Sequence, residues 1–212
     1  DFDEKITPVT YINSAADLKA FCGEHQGIVC TSTNAPKILD WAFKQKEKAL
    51  FFPDQNLGRW TGYKMGIPLD KMPVWDPDLP LGGLTEKQIE ESKILLWKGH
   101  CAVHQMFRVE SIQDFKKNYP NGNVISHPEA PFEVCKNSDL VGSTEFILRT
   151  IEKADPGTDW LVGTELNLVN RLAKEMKAEG KLVKFMSHVI CECSTMARID
   201  PQHLAWTLES II

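Results

Sequence analysis

A cysteine and two histidines follow a short apolar run near the middle of the chain, at Cys101, His100 and His104. The run, Ile94–Trp97, has the length and composition of a buried strand, and Gly99 follows it. At the carboxyl end of a strand in an open α/β sheet, Cys101 would lie where such sheets bind ligands. A helix beginning just after it would lower the pKa of the thiol and favour metal binding. The alternative is a buried, unreactive cysteine, since cysteine is among the most buried residue types.

A histidine and a carboxylate end another predicted strand, at His127 and Glu129, with Pro128 between them. Both side chains titrate within reach of neutral pH when their surroundings perturb them, so the pair can serve acid–base catalysis. The alternative is a proline-stiffened turn that carries two solvated polar groups. The local sequence favours neither interpretation.

Two hydroxyl-rich turns lie between a predicted strand and a predicted helix, one around Ser32 and one around Ser143 and Thr144. Free backbone N–H groups and the helix dipole at such a turn favour an anion, such as a phosphate or a carboxylate. Helix capping by serine or threonine is the common alternative, and for either turn alone it is preferred. Two turns at matching positions shift the interpretation modestly towards an anionic ligand.

The elements that position these residues form a pattern that occurs twice. Strands alternate with helices about every 25 residues, which indicates a parallel sheet with helices on its faces. Asn56 and Asn167 are 111 positions apart, and so are the acidic residues two places before them, Asp54 and Glu165. These carboxylates could hold loop backbone in place or face the site, and for both we favour the structural role. The proline-rich segment 66–83 interrupts the first copy and predicts an irregular surface excursion.

The repeat makes two cysteines equivalent, because the first copy ends at Cys101 and the second at Cys193. Units arranged around an axis would bring both thiols together, with Cys191 as a reserve candidate. Two thiolates do not complete a zinc or iron–sulfur site, which usually needs three or four protein ligands. We expect α/β units at 1–101 and 102–193 and a carboxyl-terminal tail at 194–212. The other three cysteines are expected to be packed in cores: Cys22, Cys30 and Cys135.

Composition excludes several classes of protein. A chain that is 42% hydrophobic and 25% charged can bury a core and is not disordered. Its net charge of −5, with no cluster of lysine and arginine, argues against a nucleic-acid partner. No apolar run approaches the roughly 20 residues of a membrane span, so we expect no membrane partner. The cysteines are too sparse and irregular for a secreted disulfide scaffold, which favours the reducing cytoplasm.

As a set, seven motifs resemble the quinolinate synthase family, in the order of that family and over nearly the whole chain. These motifs are Tyr11–Ser14, Cys30–Ala35, Phe52–Gly58, Trp97–His104, His127–Glu129, Val141–Thr144 and Gly163–Glu165. The resemblance implies repeated three-layer α/β/α units with short parallel sheets. In the family, three such units surround a pseudo-threefold axis, and this chain would contain two of them. It also implies an enzyme of NAD biosynthesis. Such an enzyme condenses iminoaspartate with dihydroxyacetone phosphate to quinolinate and releases phosphate and water.

The same resemblance implies a [4Fe–4S] cluster that binds one cysteine from each unit and keeps one iron open as a Lewis acid. Cys101 and Cys193 are the implied ligands. Glu129 is implied as the proton-transfer residue, with His127 beside the reacting carbons and Tyr11 also in the catalytic group. The residues implied to bind substrate are Tyr11, Asn13, Ser32 and His127, with Ser143 and Thr144 for an anionic group.

The first unit of the family, with its own cysteine, has no counterpart in these 212 residues. We therefore expect a fragment that lacks the amino-terminal unit and that does not hold the three-cysteine cluster by itself. Iminoaspartate would come from an L-aspartate oxidase or dehydrogenase. Two alternatives are a non-catalytic protein that binds an anionic metabolite and an iron–sulfur sensor that uses the same cysteines.

Overall fold

The computed structural model describes residues 2–189, 193 and 195–211. The first half contains, in chain order, α1 (Phe2–Lys5), β1 (Ile6–Tyr11), α2 (Ala16–Glu24), β2 (Ile28–Cys30), α3 (Ala35–Gln45), β3 (Lys48–Phe52), α4 (Gln55–Lys64), β4 (Val74–Trp75), α5 (Glu86–Glu91) and β5 (Ile94–Trp97). The second half contains α6 (Val109–Asn118), β6 (Asn123–Ser126), α7 (Phe132–Asn137), β7 (Leu140–Val141), α8 (Thr144–Lys153), β8 (Asp159–Gly163), α9 (Leu166–Met176), β9 (Leu182–Phe185) and α10 (Pro201–Glu209).

The strands form two small sheets in which every pairing is parallel. The first sheet has the order β2-β1-β3-β5-β4 and the second the order β7-β6-β8-β9. If β4 is left out, each sheet has four strands, and in each the strands lie in the order second, first, third and fourth along the chain. The repeat in the sequence is therefore also a repeat of topology. The α/β class with short parallel sheets is confirmed. The proposed boundaries of the units and the tail, at 101 and 193, stay predictions.

The sheets are buried because helices pack on them. Val9, Phe51 and Leu96 are fully buried in adjacent strands of the first sheet, as expected for parallel strands that are covered on their faces. In α8, Ile147 and Ile151 turn inward at a spacing of four residues. Such spacing places apolar side chains on one face of a helix, which is the face that closes the core.

The proline-rich segment is more ordered than the sequence predicts. Residues 74–75 form β4, which extends the first sheet by pairing Val74 with Leu96 and Trp75 with Trp97. Gly82 has a φ of 66°, and a Cβ at this position would lie 2.3 Å from the Trp75 ring. The excursion is therefore folded back against its own edge strand, and the prediction of an irregular excursion is wrong at β4.

Aromatic side chains join the two halves between α4 and α7. The ring of Phe132 lies 6.1 Å from that of Trp60 and 5.1 Å from that of Tyr63, both in edge-on geometry. Asn56, at the start of α4, donates a hydrogen bond to the backbone carbonyl of Glu129 at 3.2 Å. The start of α4 in the first half is thus tied to the residues that follow β6 in the second.

The carboxyl-terminal helix α10 lies outside the cores, and none of its residues is buried. Asp200 caps its first turn by accepting a hydrogen bond from the backbone N–H of His203 at 2.7 Å. Within the described ranges, no helix has the length and apolar character needed to cross a membrane.

Candidate active site

Several polar residues predicted from the sequence lie at the carboxyl ends of strands. Tyr11 is the last residue of β1, Asp54 follows β3, Cys101 follows β5 and Glu129 follows β6. Since ligands of open α/β sheets bind outside the carboxyl ends of the strands, these positions are where a site is expected. Contacts among the four side chains show that the two sheets bring them to one place.

Glu129 is the centre of this group, with 6% of its surface exposed. One carboxylate oxygen lies 3.2 Å from Nδ1 of His127, and the Tyr11 side chain hydrogen-bonds to the same carboxylate. Burial raises the pKa of Glu129, but the hydrogen bond from His127 and its charge lower it. The charge of His104 and the hydrogen bond from Tyr11 act in the same direction, so the pKa lies below its ordinary value. Glu129 is therefore ionised in a buried site. His127 is only 2% exposed, so the interpretation as a solvated turn is wrong.

Tyr11 joins the predicted substrate residues of the first half to Glu129. Asn13 donates a hydrogen bond from Nδ2 to the Tyr11 hydroxyl at 3.2 Å, and Ser32 also hydrogen-bonds to this hydroxyl. Burial and the charge of Glu129 raise the pKa of Tyr11 well above its ordinary value. The phenol thus stays neutral and can act as a hydrogen-bond donor. The structure brings Tyr11, Asn13 and Ser32 together.

Cys101 is half-buried, and its backbone N–H donates a hydrogen bond to a carboxylate oxygen of Asp54 at 3.0 Å. Burial raises the pKa of the Cys101 thiol to about 11, and the negative charges of Glu129 and Asp54 act in the same direction. The expectation of a thiol with a lowered pKa is wrong. The segment after it forms only a short 3₁₀ turn, His104–Met106, so the predicted helix directly after Cys101 is not formed.

Asp54 holds two pieces of backbone at once. One oxygen accepts from the N–H of Leu57 at 2.7 Å and caps α4, while the other accepts from Cys101. Burial, followed by the charge of Glu129, raises the pKa of Asp54 to about 7. At the equivalent position, Glu165 caps α9 through the N–H of Leu168 at 3.1 Å. The prediction that both carboxylates hold loop backbone is confirmed.

His104 also belongs to the site, although the sequence pattern predicts no role for it. It is 7% exposed, its ring centroid lies 4.9 Å from that of His127, and its Nδ1 lies 3.7 Å from a Glu129 oxygen. Burial lowers the pKa of His104 to about 4, so its imidazole is neutral. Cys101, His104 and Glu129 each offer a ligand atom, and these atoms lie within 4.8 Å of one another. Its sequence signals were its spacing from Cys101 and its place at the end of the motif Trp97–His104.

The second hydroxyl turn, at Ser143 and Thr144, is not part of the hydrogen-bonded group around Glu129 in the described part of the chain. Ser143 accepts a hydrogen bond from the N–H of Phe146 at 3.3 Å and caps α8, so the capping interpretation holds for it. Thr144 is the first residue of α8 and is exposed. Neither residue forms a side-chain hydrogen bond to Glu129 within the part of the chain that the structure describes. The binding of an anion there stays a prediction.

The cysteines divide by exposure. Cys22, Cys30 and Cys135 are buried free thiols, as predicted, whereas Cys101 and Cys193 are only partly buried. Residues 190–192 and 194, beside Cys193, are outside the described residues, and the reserve candidate Cys191 is among them. The roles of Cys101 and Cys193 as metal ligands stay predictions.

Comparison with known proteins gives a consistent result. Residues 2–212 match a family model described as quinolinate synthetase A protein. The chain is 53% identical to a quinolinate synthase of Rhodopirellula baltica over 209 residues, which are 98% of this chain and 53% of that protein. It is 49% identical to a quinolinate synthase of Streptomyces coelicolor, again over 98% of this chain and 53% of the relative. The chain thus spans about half the length of the curated relatives that it matches.

Proposed function

The chain belongs to the quinolinate synthetase A family, and on this premise we propose that it forms two of the three units of a quinolinate synthase. The reaction proposed is the condensation of iminoaspartate with dihydroxyacetone phosphate to quinolinate, with release of phosphate and water. The observation that carries the proposal is the buried, ionised Glu129, which contacts His127 and Tyr11 and lies within 4.8 Å of the Cys101 thiol.

The donor set fits a [4Fe–4S] cluster as two of its protein ligands. The two thiols implied as ligands, Cys101 and Cys193, are partly exposed, unlike the three packed in cores. The third ligand would come from the additional unit that we propose. When bound, the cluster would supply a Lewis acid for a substrate hydroxyl group that leaves as water.

Glu129 is suited to take a proton from a carbon acid. It is ionised and shielded from water, and His127 holds its carboxylate at 3.2 Å. A positioned carboxylate of this kind contributes about 10²–10⁴-fold to a proton transfer. The neutral Tyr11 phenol, which Asn13 orients, would donate a hydrogen bond to a carbonyl or carboxylate oxygen of the substrate.

Anionic groups of the substrates have two candidate positions. Ser32 lies beside Tyr11 and would bind a carboxylate next to the reacting atoms. Ser143 and Thr144 lie at the start of α8, which has ten residues, so its free backbone N–H groups would favour a phosphate. The substrate partners and an L-aspartate oxidase or dehydrogenase as the source of iminoaspartate belong to this proposal, as does the cytoplasmic location.

The test uses the chain joined to the amino-terminal unit of a full-length relative and reconstituted anaerobically with iron and sulfide. We expect a broad visible absorbance and the formation of quinolinate from the two substrates. Cys101→Ala and Cys193→Ala should each remove the absorbance and the activity. Cys22→Ala, at a buried cysteine of α2, is the matched control and should retain both.

Three outcomes separate the possibilities. No iron uptake by the completed protein would overturn the cluster assignment. Unchanged absorbance in both ligand variants would show that other residues bind the iron. Iron uptake without quinolinate formation would favour the alternative of a non-catalytic iron–sulfur or anion-binding protein.

A further inference from the structure

Cys101, His104 and Glu129 form a compact group of three different donors from two halves of the chain. Their ligand atoms lie within 4.8 Å of one another, and Nδ1 of His104 is 3.7 Å from a Glu129 oxygen. Small adjustments of side-chain torsions would place all three at bonding distance from one ion, since zinc takes sulfur at about 2.3 Å and nitrogen or oxygen at about 2.1 Å. We propose that this group is a binding site for a single divalent transition-metal ion, which would bind in place of an iron–sulfur cluster and not as part of one.

The state of His104 points to a ligand. Its side chain is nine-tenths buried, and in the described part of the chain neither ring nitrogen has a hydrogen-bond partner. A buried polar atom without a partner destabilises the folded state, and such atoms are rare in native proteins. Coordination through one nitrogen would satisfy that atom, and the geometry directs this ring towards Glu129 and Cys101.

The surroundings hold two of the donors in place, as the second layer of a metal site does. The carboxylate of Asp54 binds the backbone N–H of Cys101, and Asn56 binds the backbone carbonyl of Glu129. The Glu129 carboxylate is also fixed from the side by His127. Only His104 lacks such a support, so the ion itself would orient it.

The donor types select the class of ion. Thiolate, imidazole and carboxylate together suit zinc or ferrous iron, whereas magnesium and calcium prefer oxygen ligands alone. Three protein ligands leave one position of a tetrahedral ion open, which is the arrangement of reactive rather than structural zinc sites. On binding, the thiol of Cys101 would lose its proton to the buffer and bind as thiolate. Because Cys101 is also the proposed cluster ligand, the two sites exclude each other.

The experiment measures Co²⁺ and Zn²⁺ binding by the 212-residue chain, prepared metal-free and under reducing conditions. We expect one equivalent of Co²⁺ to give a thiolate-to-metal absorption band, and Zn²⁺ to displace it. His104→Gln should weaken binding by more than about tenfold, and Cys101→Ser and Glu129→Gln should weaken it at least as much. His203→Gln, at an exposed histidine paired with Asp200, is the matched control and should bind as the unchanged chain does.

A second measurement does not depend on the variants being folded. In the unchanged chain, one equivalent of Zn²⁺ should protect Cys101 from alkylation, as read by peptide mapping, while Mg²⁺ should not. Full alkylation of Cys101 in the presence of Zn²⁺ would overturn the proposal, as would unchanged Co²⁺ affinity in a folded His104→Gln variant. Loss of binding in His203→Gln would place the ion at the surface and equally overturn it. None of these outcomes depends on quinolinate formation, so the site is tested apart from the proposed function.

Discussion

The carboxylate of Asp54 holds the backbone N–H of Cys101 at 3.0 Å while its other oxygen caps α4. One side chain therefore sets both the start of a helix and the position of the cysteine after the neighbouring strand. Because β3 and β5 are adjacent in the first sheet, the two loops that follow them are within reach of a single short carboxylate. The position of the thiol is thus a consequence of strand order.

Asp54→Asn should lower the free energy of unfolding by about 1–3 kcal/mol, because one end of the amide is a donor and would face an N–H. Urea unfolding followed by circular dichroism measures the effect. Asp200→Asn, at the partly exposed cap of α10, is the matched control and should change stability by only a few tenths of a kcal/mol, as Asn and Asp are similar caps. An equal cost at both positions would contradict a special role for the bond to Cys101.

Asp54 and His104 should give opposite dependences of stability on pH. The pKa of Asp54 is raised from 3.8 to about 7, so its contribution to stability is full below pH 3.8 and is lost as the pH rises through 7. The pKa of His104 is lowered from 6.5 to about 4, so its contribution is present above pH 6.5 and is lost as the pH falls through 4.

Between about pH 4 and pH 6.5, Asp54 makes the free energy of unfolding fall as the pH rises, whereas His104 makes it rise. Asp54→Asn removes the first of these two effects. The free energy of unfolding of the variant should therefore rise with pH more steeply than that of the unchanged chain, by up to about 1.4 kcal/mol per pH unit. Urea unfolding at several pH values between about 4.5 and 6.5 measures the difference. Parallel curves for the two proteins would show that Asp54 has an ordinary pKa.

Phe132→Ala should weaken the junction between the halves. The variant loses two edge-on ring contacts, each worth about 0.5–1.5 kcal/mol beyond the buried area, so a loss of about 1–3 kcal/mol is expected. Phe146→Ala, at an exposed phenylalanine of α8, should cost less. Equal losses in urea unfolding would mean that the junction contributes little to stability.

Glu129→Gln should reduce kcat of the completed and reconstituted enzyme by about 10²–10⁴-fold, because the amide cannot accept the proton. The cluster absorbance should remain, since Glu129 is not among the proposed cluster ligands. Glu133→Gln, on the exposed side of α7, is the control and should leave the rate unchanged. A Glu129→Gln enzyme with its full rate would refute the proton-transfer role.

Ser143→Ala and Thr144→Ala should separate capping from anion binding. Ser143→Ala removes the cap of α8 and should cost about 1 kcal/mol in urea unfolding, whereas Thr144→Ala should leave stability nearly unchanged. In the completed enzyme both variants should raise the KM for dihydroxyacetone phosphate. If only stability changes, the turn is a helix cap and nothing more.

Local patterns predicted the fold because strand and helix periodicities are properties of short segments. The equivalence of Asp54 and Glu165 was visible as a constant offset, and both cap helices in the structure. In contrast, β4 has two residues within a proline-rich segment, too few to show any period. Its formation depends on the free edge of β5, which a local pattern does not contain.

The site was predictable in its members and less so in its electrostatics. Tyr11, Cys101 and Glu129 follow strands, so a parallel sheet places them at its carboxyl edge. The pKa of Cys101 is raised first by burial and then by Glu129 and Asp54, two carboxylates that are distant from it in the sequence. His104 was assigned no role because its isolation from hydrogen-bond partners arises only when the two halves pack together.

The rims of the two described sheets are formed by short strands. β2 has three residues, β4 and β7 have two each, and β9 has four, with the charged Lys184 exposed within it. Long, flat edge strands act as templates for intermolecular pairing, and proteins blunt them by shortening the strands and by placing lysines there. These rims therefore offer few backbone groups for another chain to extend. In this fold, resistance to edge-to-edge aggregation is built into the sheets themselves.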